Sequence, residues 1–162
     1  MIFFYYYIIM LKILTNPNPI LRKKSQSIKD VSNNEIQKLI PQMVDLMMTR
    51  DGVGLAAPQV GQNVRLITVR YKDGYLALLN PKIVKKSLLK EWDEEGCLSV
   101  PNVYGEVKRC KKITVKYLDE SEKEHRMSGE GLFARVIQHE IDQLDGVLFI
   151  DRARNLRKIS DQ

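Results

Sequence analysis

The stretch GLFARVIQHEIDQLDG, residues 131–146, carries the most regular pattern in the sequence. Its apolar residues recur at helical spacing, and they are Leu132, Val136, Ile137, Ile141 and Leu144. Gly146 is the residue type that most often follows the last turn of a helix. The pattern therefore predicts a helix that starts near residues 128–131, runs to Gly146 and is largely enclosed by the rest of the protein.

Outside this helix the sequence predicts strands and one further helix. Ser32 and Glu35 form a capping-box pair ahead of apolar residues at helical spacing, and Pro41 inside that pattern predicts a kink. Residues 65–69, 75–79 and 113–118 are typical of strands. Because strands lie before and between the helices without regular alternation, we expect an α+β fold and no doubly wound parallel sheet.

Length and composition predict one domain with a buried core, since the chain has 162 residues and 44% of them are hydrophobic. The formal net charge of +6 comes from dispersed clusters, of which the last spans Arg152 to Lys158. Such clusters are usually solvated faces, and a nucleic-acid or ribosome contact is the alternative. Two cysteines, Cys97 and Cys110, are too few for a disulfide framework and indicate a reducing compartment.

Residues 1–9 are nearly all aromatic or β-branched. They are too short to span a bilayer, and they carry neither a basic leader nor a small-residue cleavage site. We therefore expect translation to start at Met10. Residues 1–9 would then be a non-native or disordered extension, and residues 10–162 would form the single domain.

The predicted helix contains His139-Glu140, and residue 143 lies one turn further on the same face. A second histidine there would complete the His-Glu-x-x-His signature of metallohydrolases, but the residue is Gln143. Taken alone, His139 is therefore better explained as a buried histidine that a hydrogen bond satisfies.

Two further segments carry candidate chemistry. The segment EGCLSVP, residues 95–101, places Cys97 in a glycine-containing turn. A lone cysteine is usually a small buried hydrophobe, although a thiolate also suits Zn²⁺ or Fe²⁺. The segment GVGLAAPQVG, residues 52–61, is explained either as a helix stop followed by a turn or as a close approach of backbone to a ligand. In the second case the Gln59 amide would donate to a developing oxyanion.

In this order and at these separations, the three segments resemble the three motifs of peptide deformylases, and the resemblance extends from Leu11 to Asp151. It implies mostly antiparallel sheets packed around a central helix that carries His139-Glu140. It also implies a mid-sheet turn at Asn80-Pro81 and a strand at residues 146–149. The implied function is a metal-dependent hydrolase that removes the N-formyl group from the initiator methionine of nascent proteins. On this basis we expect a cytoplasmic monomer, organellar if the source is eukaryotic. A ribosome contact through the basic surface, in particular the segment from Arg152 to Lys158, stays the alternative that the charge leaves open.

The resemblance further implies one divalent metal ion, Fe²⁺ foremost, with Zn²⁺, Ni²⁺ or Co²⁺ as alternatives. Its ligands would be Cys97, His139 and Gln143, and the neutral amide of Gln143 should bind metal more weakly than the imidazole that the family has there. Gln143 therefore leaves an alternative open, an inactive descendant that binds formyl-methionyl or N-terminal peptides without hydrolysis. Cys97 disfavours a protease of the His-Glu-x-x-His class, which takes its third ligand from His or Glu.

By the same resemblance, Glu140 matches the general acid/base, and Gln59 and the backbone N–H of Leu98 match the donors to the tetrahedral intermediate. Val53 and Gly54 resemble a backbone strip that pairs with the substrate as an added strand. The remaining substrate-binding positions are Gly96, Leu132 and Val136, as the lining of a methionine pocket, and Arg109 near the substrate's path, for which a structural salt bridge is nearly as good an explanation.

Overall fold

The computed structural model describes residues 11–160, so the predicted start at Met10 and the predicted extension at residues 1–9 lie outside the described residues. In chain order the helices and strands are α1 (Asn34–Thr49), β1 (Gly54–Ala56), β2 (Leu66–Tyr71), β3 (Gly74–Lys86), β4 (Lys90–Cys97), β5 (Val100–Cys110), β6 (Lys112–Leu118), β7 (Glu124–Glu130), α2 (Gly131–Leu144) and β8 (Arg154–Lys158). Short 3-10 helices occupy Pro19–Arg22, Ala57–Val60 and Phe149–Asp151.

The strands form two sheets around α2. The larger sheet has the order β1-β2-β3-β6-β7, and the smaller has the order β4-β5-β8. Every pairing between these strands is antiparallel. The predicted α+β fold, with mostly antiparallel sheets around the helix that carries His139-Glu140, is therefore confirmed.

The helix α2 is enclosed, as its pattern predicts. Ten of its 14 residues are buried, and Ala134, Ile137 and Ile141 pack with buried side chains of the larger sheet. Because so much of the helix is buried, its polar residues are buried with it, and each of them needs partners inside the protein.

The helix α1 covers the opposite face of the larger sheet. Successive residues of a strand point to opposite faces, and on β3 Leu78 packs in the core cluster that contains α2 whereas Leu79 packs in the cluster that contains Met43 and Met47 of α1. This arrangement buries the centre of the larger sheet on both sides and leaves β1 at its edge.

The predicted cap of α1 is displaced by one residue. Asn33 is the N-cap, and its side chain accepts a hydrogen bond from Glu35 N at 2.8 Å. The Ser32 hydroxyl donates to Asp30 Oδ1 at 2.6 Å instead. Asn and Ser are about equally good N-caps, so the sequence alone could not choose between the two neighbours. The helix includes Pro41, and the kink there stays a prediction.

The three predicted strands lie within or next to β2, β3 and β6. Two other local predictions, the turn at Asn80-Pro81 and the strand at residues 146–149, were wrong. Asn80-Pro81 does not form a turn, because β3 passes through it with a register shift against β6 between Leu79 and Lys82. Proline has no N–H for the ladder, so an irregularity is expected at that point. Residues 146–149 do not form a strand; a 3-10 helix begins at Phe149, held by a hydrogen bond from Leu148 N to Asp151 Oδ2 at 2.8 Å. Within residues 11–160, no helix has the length and apolar character to cross a membrane.

Gly146 lets the chain turn directly after α2, and its replacement tests that turn. Its φ is +76°, and a first side-chain carbon there would lie 2.5 Å from the carbonyl oxygen of Arg22. Because both the backbone conformation and the contact oppose a side chain, we expect Gly146→Ala to lower the free energy of unfolding by at least about 2 kcal/mol in urea denaturation followed by circular dichroism. Gly74→Ala is the control, since Gly74 has open space around it, and its effect should stay within about 0.5 kcal/mol. Equal effects of the two changes would contradict this account.

Candidate active site

A cleft of about 580 Å³ lies between β1, the β4–β5 hairpin and α2. Of the site residues that the sequence predicts, all but Arg109 line it. The lining residues from that prediction are Val53, Gly54, Gln59, Gly96, Cys97, Leu98, Leu132, Val136, His139, Glu140 and Gln143. Segments that are far apart in the chain therefore meet in one cavity.

Cys97 stands where these segments converge. It is the last residue of β4, and the β4–β5 register shifts between Gly96 and Cys97. Two amide groups point at its sulfur, because Gln59 Nε2 lies 3.5 Å and Gln143 Nε2 3.4 Å from Cys97 Sγ. His139 forms a third hydrogen bond with the same side chain. The Cys97 sulfur thus contacts a helical residue of the first motif and two residues of α2.

His139 is buried, and its ring is held on two sides. Its Nδ1 lies 2.9 Å from Glu95 Oε2, and the ring stacks on Phe149 with 6.1 Å between centroids. Burial alone would lower the pKa of His139, but its hydrogen bonds to Cys97 and Glu95 and the charge of Glu140 raise that pKa to about 10. The ring is thereby oriented with one nitrogen on Glu95 and the other toward Cys97.

Glu95 is a site residue that the sequence analysis did not single out. Its Oε1 accepts hydrogen bonds from Arg109 Nε and Arg135 Nη1, each at 2.9 Å, and its Oε2 accepts from Arg109 Nη2 at 3.0 Å in addition to its contact with His139. Burial acts to raise the pKa of Glu95, and the bonds from His139 and Arg109 outweigh it and lower the pKa to about 2. The only available signal was a carboxylate two residues before Cys97.

Arg109 lies outside the cleft. Its side chain is 5% exposed and pairs with Glu95 and with Asp142. A buried guanidinium needs such carboxylate partners, and these contacts hold it behind Glu95. The position of Arg109 is therefore that of a structural salt bridge. Arg135, which was not predicted from the sequence, lines the cleft and also donates a hydrogen bond to Glu95.

Glu140 is a buried acidic group of the cleft. It is 4% exposed, and its Oε2 has no hydrogen-bond partner among residues 11–160. A first side-chain carbon on Gly54 would come within 2.5 Å of Glu140 Oε1, so only glycine allows β1 this close to the carboxylate. Burial raises the pKa of Glu140 to about 7, although the nearby charge of His139 lowers it. A carboxyl group with that pKa can both take up and release a proton near neutral pH.

Gln143 is 2% exposed, and it contributes an unsatisfied oxygen to the site. Its Nε2 points at Cys97 Sγ, whereas its Oε1 is buried and has no hydrogen-bond partner in the described part of the chain. Within residues 11–160, no group of three or more His, Cys, Asp and Glu side chains is placed to hold a metal ion. The Gln143 amide lies beside Cys97, one helical turn after His139.

Gln59 is fixed at both ends of its amide. Its Oε1 accepts from Ala56 N at 2.8 Å, and its Nε2 donates to Ser99 Oγ at 3.1 Å as well as pointing at Cys97. Ser99 is fully buried and was also missed in the sequence. These contacts hold the Nε2 donor at the cleft, with one hydrogen on Ser99 Oγ and the other directed at Cys97 Sγ.

The first strand presents an open edge to the cleft. β1 is the terminal strand of the larger sheet and pairs with β2 on one side only. The preceding residue, Val53, extends that pairing, because its carbonyl oxygen accepts from Arg70 N at 3.0 Å. Val53 is 47% exposed. The backbone at Val53 and Gly54 is therefore available to an extended peptide.

Comparison with known proteins assigns a family to this combination of fold and cleft. The family described as polypeptide deformylase matches residues 10–159. A peptide deformylase of Carboxydothermus hydrogenoformans is 47% identical over 145 residues, which is 90% of this chain and 94% of the relative. One from Natranaerobius thermophilus is 44% identical over 146 residues, 90% of this chain and 93% of the relative.

Solved structures of the same family share the fold. A peptide deformylase from Synechococcus elongatus, solved in complex with actinonin, superposes with a TM-score of 0.86 at 41% identity and covers 90% of this chain and 79% of its own. The peptide deformylase from Thermotoga maritima gives a TM-score of 0.86 at 40% identity, with 90% of this chain and 98% of its own covered.

The contacts of Glu95 predict a large effect of removing its charge. We expect Glu95→Gln to lower the free energy of unfolding by about 3–5 kcal/mol, because the two buried guanidinium groups and His139 would lose the charge of the carboxylate that they share. Glu124→Gln is the matched control, since Glu124 pairs with Lys116 at the surface, where both side chains are about half exposed, and its loss should cost less than about 1 kcal/mol. Urea denaturation near neutral pH measures both. A Glu95→Gln variant as stable as the control would contradict the role given to this carboxylate.

Proposed function

This chain belongs to the polypeptide deformylase family, and we propose that it hydrolyses the N-formyl group of the initiator methionine of nascent proteins with a divalent metal ion held by Cys97, His139 and Gln143. The observation that carries the proposal is the convergence of these three side chains with Glu140 and Gln59 in one cleft. We further propose that residues 10–162 form a single catalytic domain and that the protein is a monomer in the cytoplasm, or in an organelle if the source is eukaryotic.

The residues present fit a divalent ion, with one weak ligand. A thiolate and an imidazole are ligands that Fe²⁺ and Zn²⁺ accept, and Cys97 and His139 are in hydrogen-bond contact. The buried, unpartnered Oε1 of Gln143 supplies a third donor, since rotation of the amide would turn this oxygen toward the space beside Cys97. His139 must give up its second ring proton to ligate, so metal binding should release protons.

The ion would contribute one kind of chemistry, a positive charge that polarises the formyl oxygen and acidifies water. Glu140 then acts as the general acid/base. Its free Oε2 can accept a proton from the attacking water and deliver it to the leaving amine. The raised pKa of Glu140, about 7, suits both steps, because neither protonation state is strongly disfavoured near neutral pH.

Gln59 and the backbone N–H of Leu98 would stabilise the tetrahedral intermediate. Preorganised donors of this kind are commonly worth about 3 kcal/mol each in the transition state. The Gln59 amide is preorganised in this sense, because Ala56 N and Ser99 Oγ already fix its orientation. The Nε2 hydrogen that is directed at Cys97 Sγ would turn to the formyl oxygen when that oxygen becomes an oxyanion.

The substrate would lie as an extended strand along Val53 and Gly54. Backbone hydrogen bonds to an added strand do not depend on side chains, so this mode admits many sequences after the first methionine. The methionine side chain would enter between Gly96, Leu132 and Val136, which face the same cleft. The close approach of Gly54 to Glu140 brings this strand to the acid/base.

Gln143 supports a second candidate function, the binding of formyl-methionyl or N-terminal peptides without hydrolysis. An amide oxygen is a weaker ligand for transition metals than an imidazole, and turnover could fall below a useful rate. The retention of Cys97, His139, Glu140 and Gln59 in one cleft argues against this loss of turnover.

A ribosome contact through the Arg152 to Lys158 segment also stays a proposal. Two of its arginines, Arg154 and Arg157, already pair with Glu106 and Glu94.

An assay of formate release distinguishes the two candidates. The protein is purified without oxygen, loaded in turn with Fe²⁺, Ni²⁺ or Co²⁺, and given a short formyl-methionyl peptide. We expect the unmodified chain to release formate. We expect Gln143→His to release it at least about 10-fold faster, because even changes to residues that only orient a metal ligand alter activity by about 10–100-fold. Gln62→His, on the surface, controls for an added histidine. Formate release by Gln143→His without any release by the unmodified chain would overturn the proposed hydrolase activity and favour peptide binding without hydrolysis.

Metal affinity tests the ligand set separately from turnover. Co²⁺ bound to a thiolate absorbs in the near ultraviolet, so titration of the apo-protein gives its dissociation constant. We expect Cys97→Ser to weaken Co²⁺ binding by at least about 100-fold, Gln143→Ala by about 10-fold, and Gln143→His to strengthen it by about 10-fold or more. Cys110→Ser serves as the control, because Cys110 is buried outside the cleft. Unchanged affinity in Gln143→Ala would show that Gln143 is no ligand.

A further inference from the structure

A second cleft lies on the opposite side of α2 from the active-site cleft, and we propose that it binds the phosphodiester backbone of RNA. We call it the basic groove. The proposal concerns a surface that shares no residue with the active-site cleft, and it stands or falls independently of the proposed function.

The basic groove is larger than the active-site cleft, with a volume of about 1010 Å³. Its floor is the face of α2 that carries Gln138, Ile141, Asp142 and Asp145, and its walls come from β3, β4 and β5. On a helix these positions lie opposite those of Glu140 and Gln143. One helix therefore separates two clefts of different composition.

The walls of the groove are strongly cationic. Its basic lining residues are Lys24, Arg65, Lys82, Lys86, Lys90, Lys108, Arg109 and Arg152. Its only acidic lining residues are Asp142 and Asp145. Both of them are already neutralised, because Asp142 pairs with Arg109 and Arg152 and Asp145 pairs with Arg65.

The lysines of the groove are the uncompensated charges. Lys24, Lys82, Lys86, Lys90 and Lys108 are exposed, and none of the five makes an ion pair within residues 11–160. The contact described for Lys108 is with the Trp92 ring, at 5.8 Å. Like charges held together without counter-charges destabilise the free protein. An anionic partner would relieve that repulsion.

Several basic residues of β6 and β8 are paired with carboxylates, unlike the lysines of the groove. On β8, Arg154 pairs with Glu106 and Arg157 with Glu94, and on β6 Lys112 pairs with Glu130. The groove therefore carries more unpaired positive charge than the C-terminal segment, whose three arginines are all paired.

The shape of the groove selects among polyanions. A strand of nucleic acid carries a charge at every nucleotide and can lie along a concave surface, where lysines on two walls contact successive phosphates. A membrane is flat and would meet the rim of the groove without reaching its walls. The rim does carry the exposed side chains of Leu88 and Leu89, which are 98% and 72% exposed, and for that reason anionic vesicles belong in the test.

The test measures the affinity of a short fluorescent single-stranded RNA by anisotropy at several KCl concentrations. The groove variant is Lys82→Gln/Lys86→Gln/Lys90→Gln. The control variant is Lys29→Gln/Lys38→Gln/Lys123→Gln, which changes exposed lysines outside the groove. Both variants lower the formal net charge from +6 to about +3, so overall charge is matched.

We expect the groove variant to bind RNA at least about 10-fold more weakly and to show a salt slope shallower by about 2, since each lost phosphate contact removes about 0.7 from that slope. The control variant should change affinity by less than about 2-fold. Turnover of a short formyl-methionyl peptide, where the unmodified chain has it, should be the same in both variants.

Three outcomes would overturn the proposal. The first is equal weakening by the two triple variants, which would reduce the effect to overall charge. The second is no RNA binding by the unmodified protein at low salt. The third is binding to membranes in place of RNA. In that case the unmodified protein would cosediment with vesicles of anionic phospholipid, Leu88→Ser/Leu89→Ser would not, and no RNA binding would be detected.

Discussion

The carboxylate of Glu95 accepts hydrogen bonds from two arginines and a histidine inside the protein, and the geometry of the active-site cleft depends on it. These partners come from β5 and α2, while Glu95 itself belongs to β4. A buried charge is tolerated only where its partners are in place. Glu95 therefore ties the smaller sheet to the central helix and holds the His139 ring beside Cys97.

The helix α2 is buried on most of its surface, and it still lines two clefts on opposite sides. One face presents Glu140 and Gln143, each with an unpartnered side-chain oxygen, to the smaller cleft. The other face presents Asp142 and Asp145 to a wider groove, where their charge is already neutralised. Arg109 spans the two sides, since it contacts Glu95 behind the first cleft and Asp142 in the second. The two surfaces thus share a structural support without sharing ligand-facing residues.

The sequence predicted what depends on local pattern and on motif order. The period of residues 131–146 was enough to place the central helix, and the three motifs were enough to collect eleven of the lining residues before their distances were known. Glu95 and Arg135 could not be predicted as partners, because an ion pair between residues 40 positions apart leaves no local signal in the sequence. For the same reason the sequence could not decide between the substrate's path and a structural salt bridge for Arg109.

Smaller discrepancies have similar causes. The cap of α1 moved from Ser32 to Asn33 because two good capping residues stand side by side, and β3 continued through Pro81 because a neighbouring strand supports it on each side of the irregularity. The basic groove could not be foreseen at all. Its lysines are spread from residue 24 to residue 108, and only the fold brings them together.

The shortness of β1 has a consequence for solubility. An unpaired strand edge is a template on which copies of a protein can stack into aggregates, and the risk grows with the length of regular edge that is exposed. β1 contributes three residues, Gly54 to Ala56, and the two that follow Gly54 are fully buried. The open edge is thus long enough to hold the first residues of a peptide and too short to nucleate a growing intermolecular sheet.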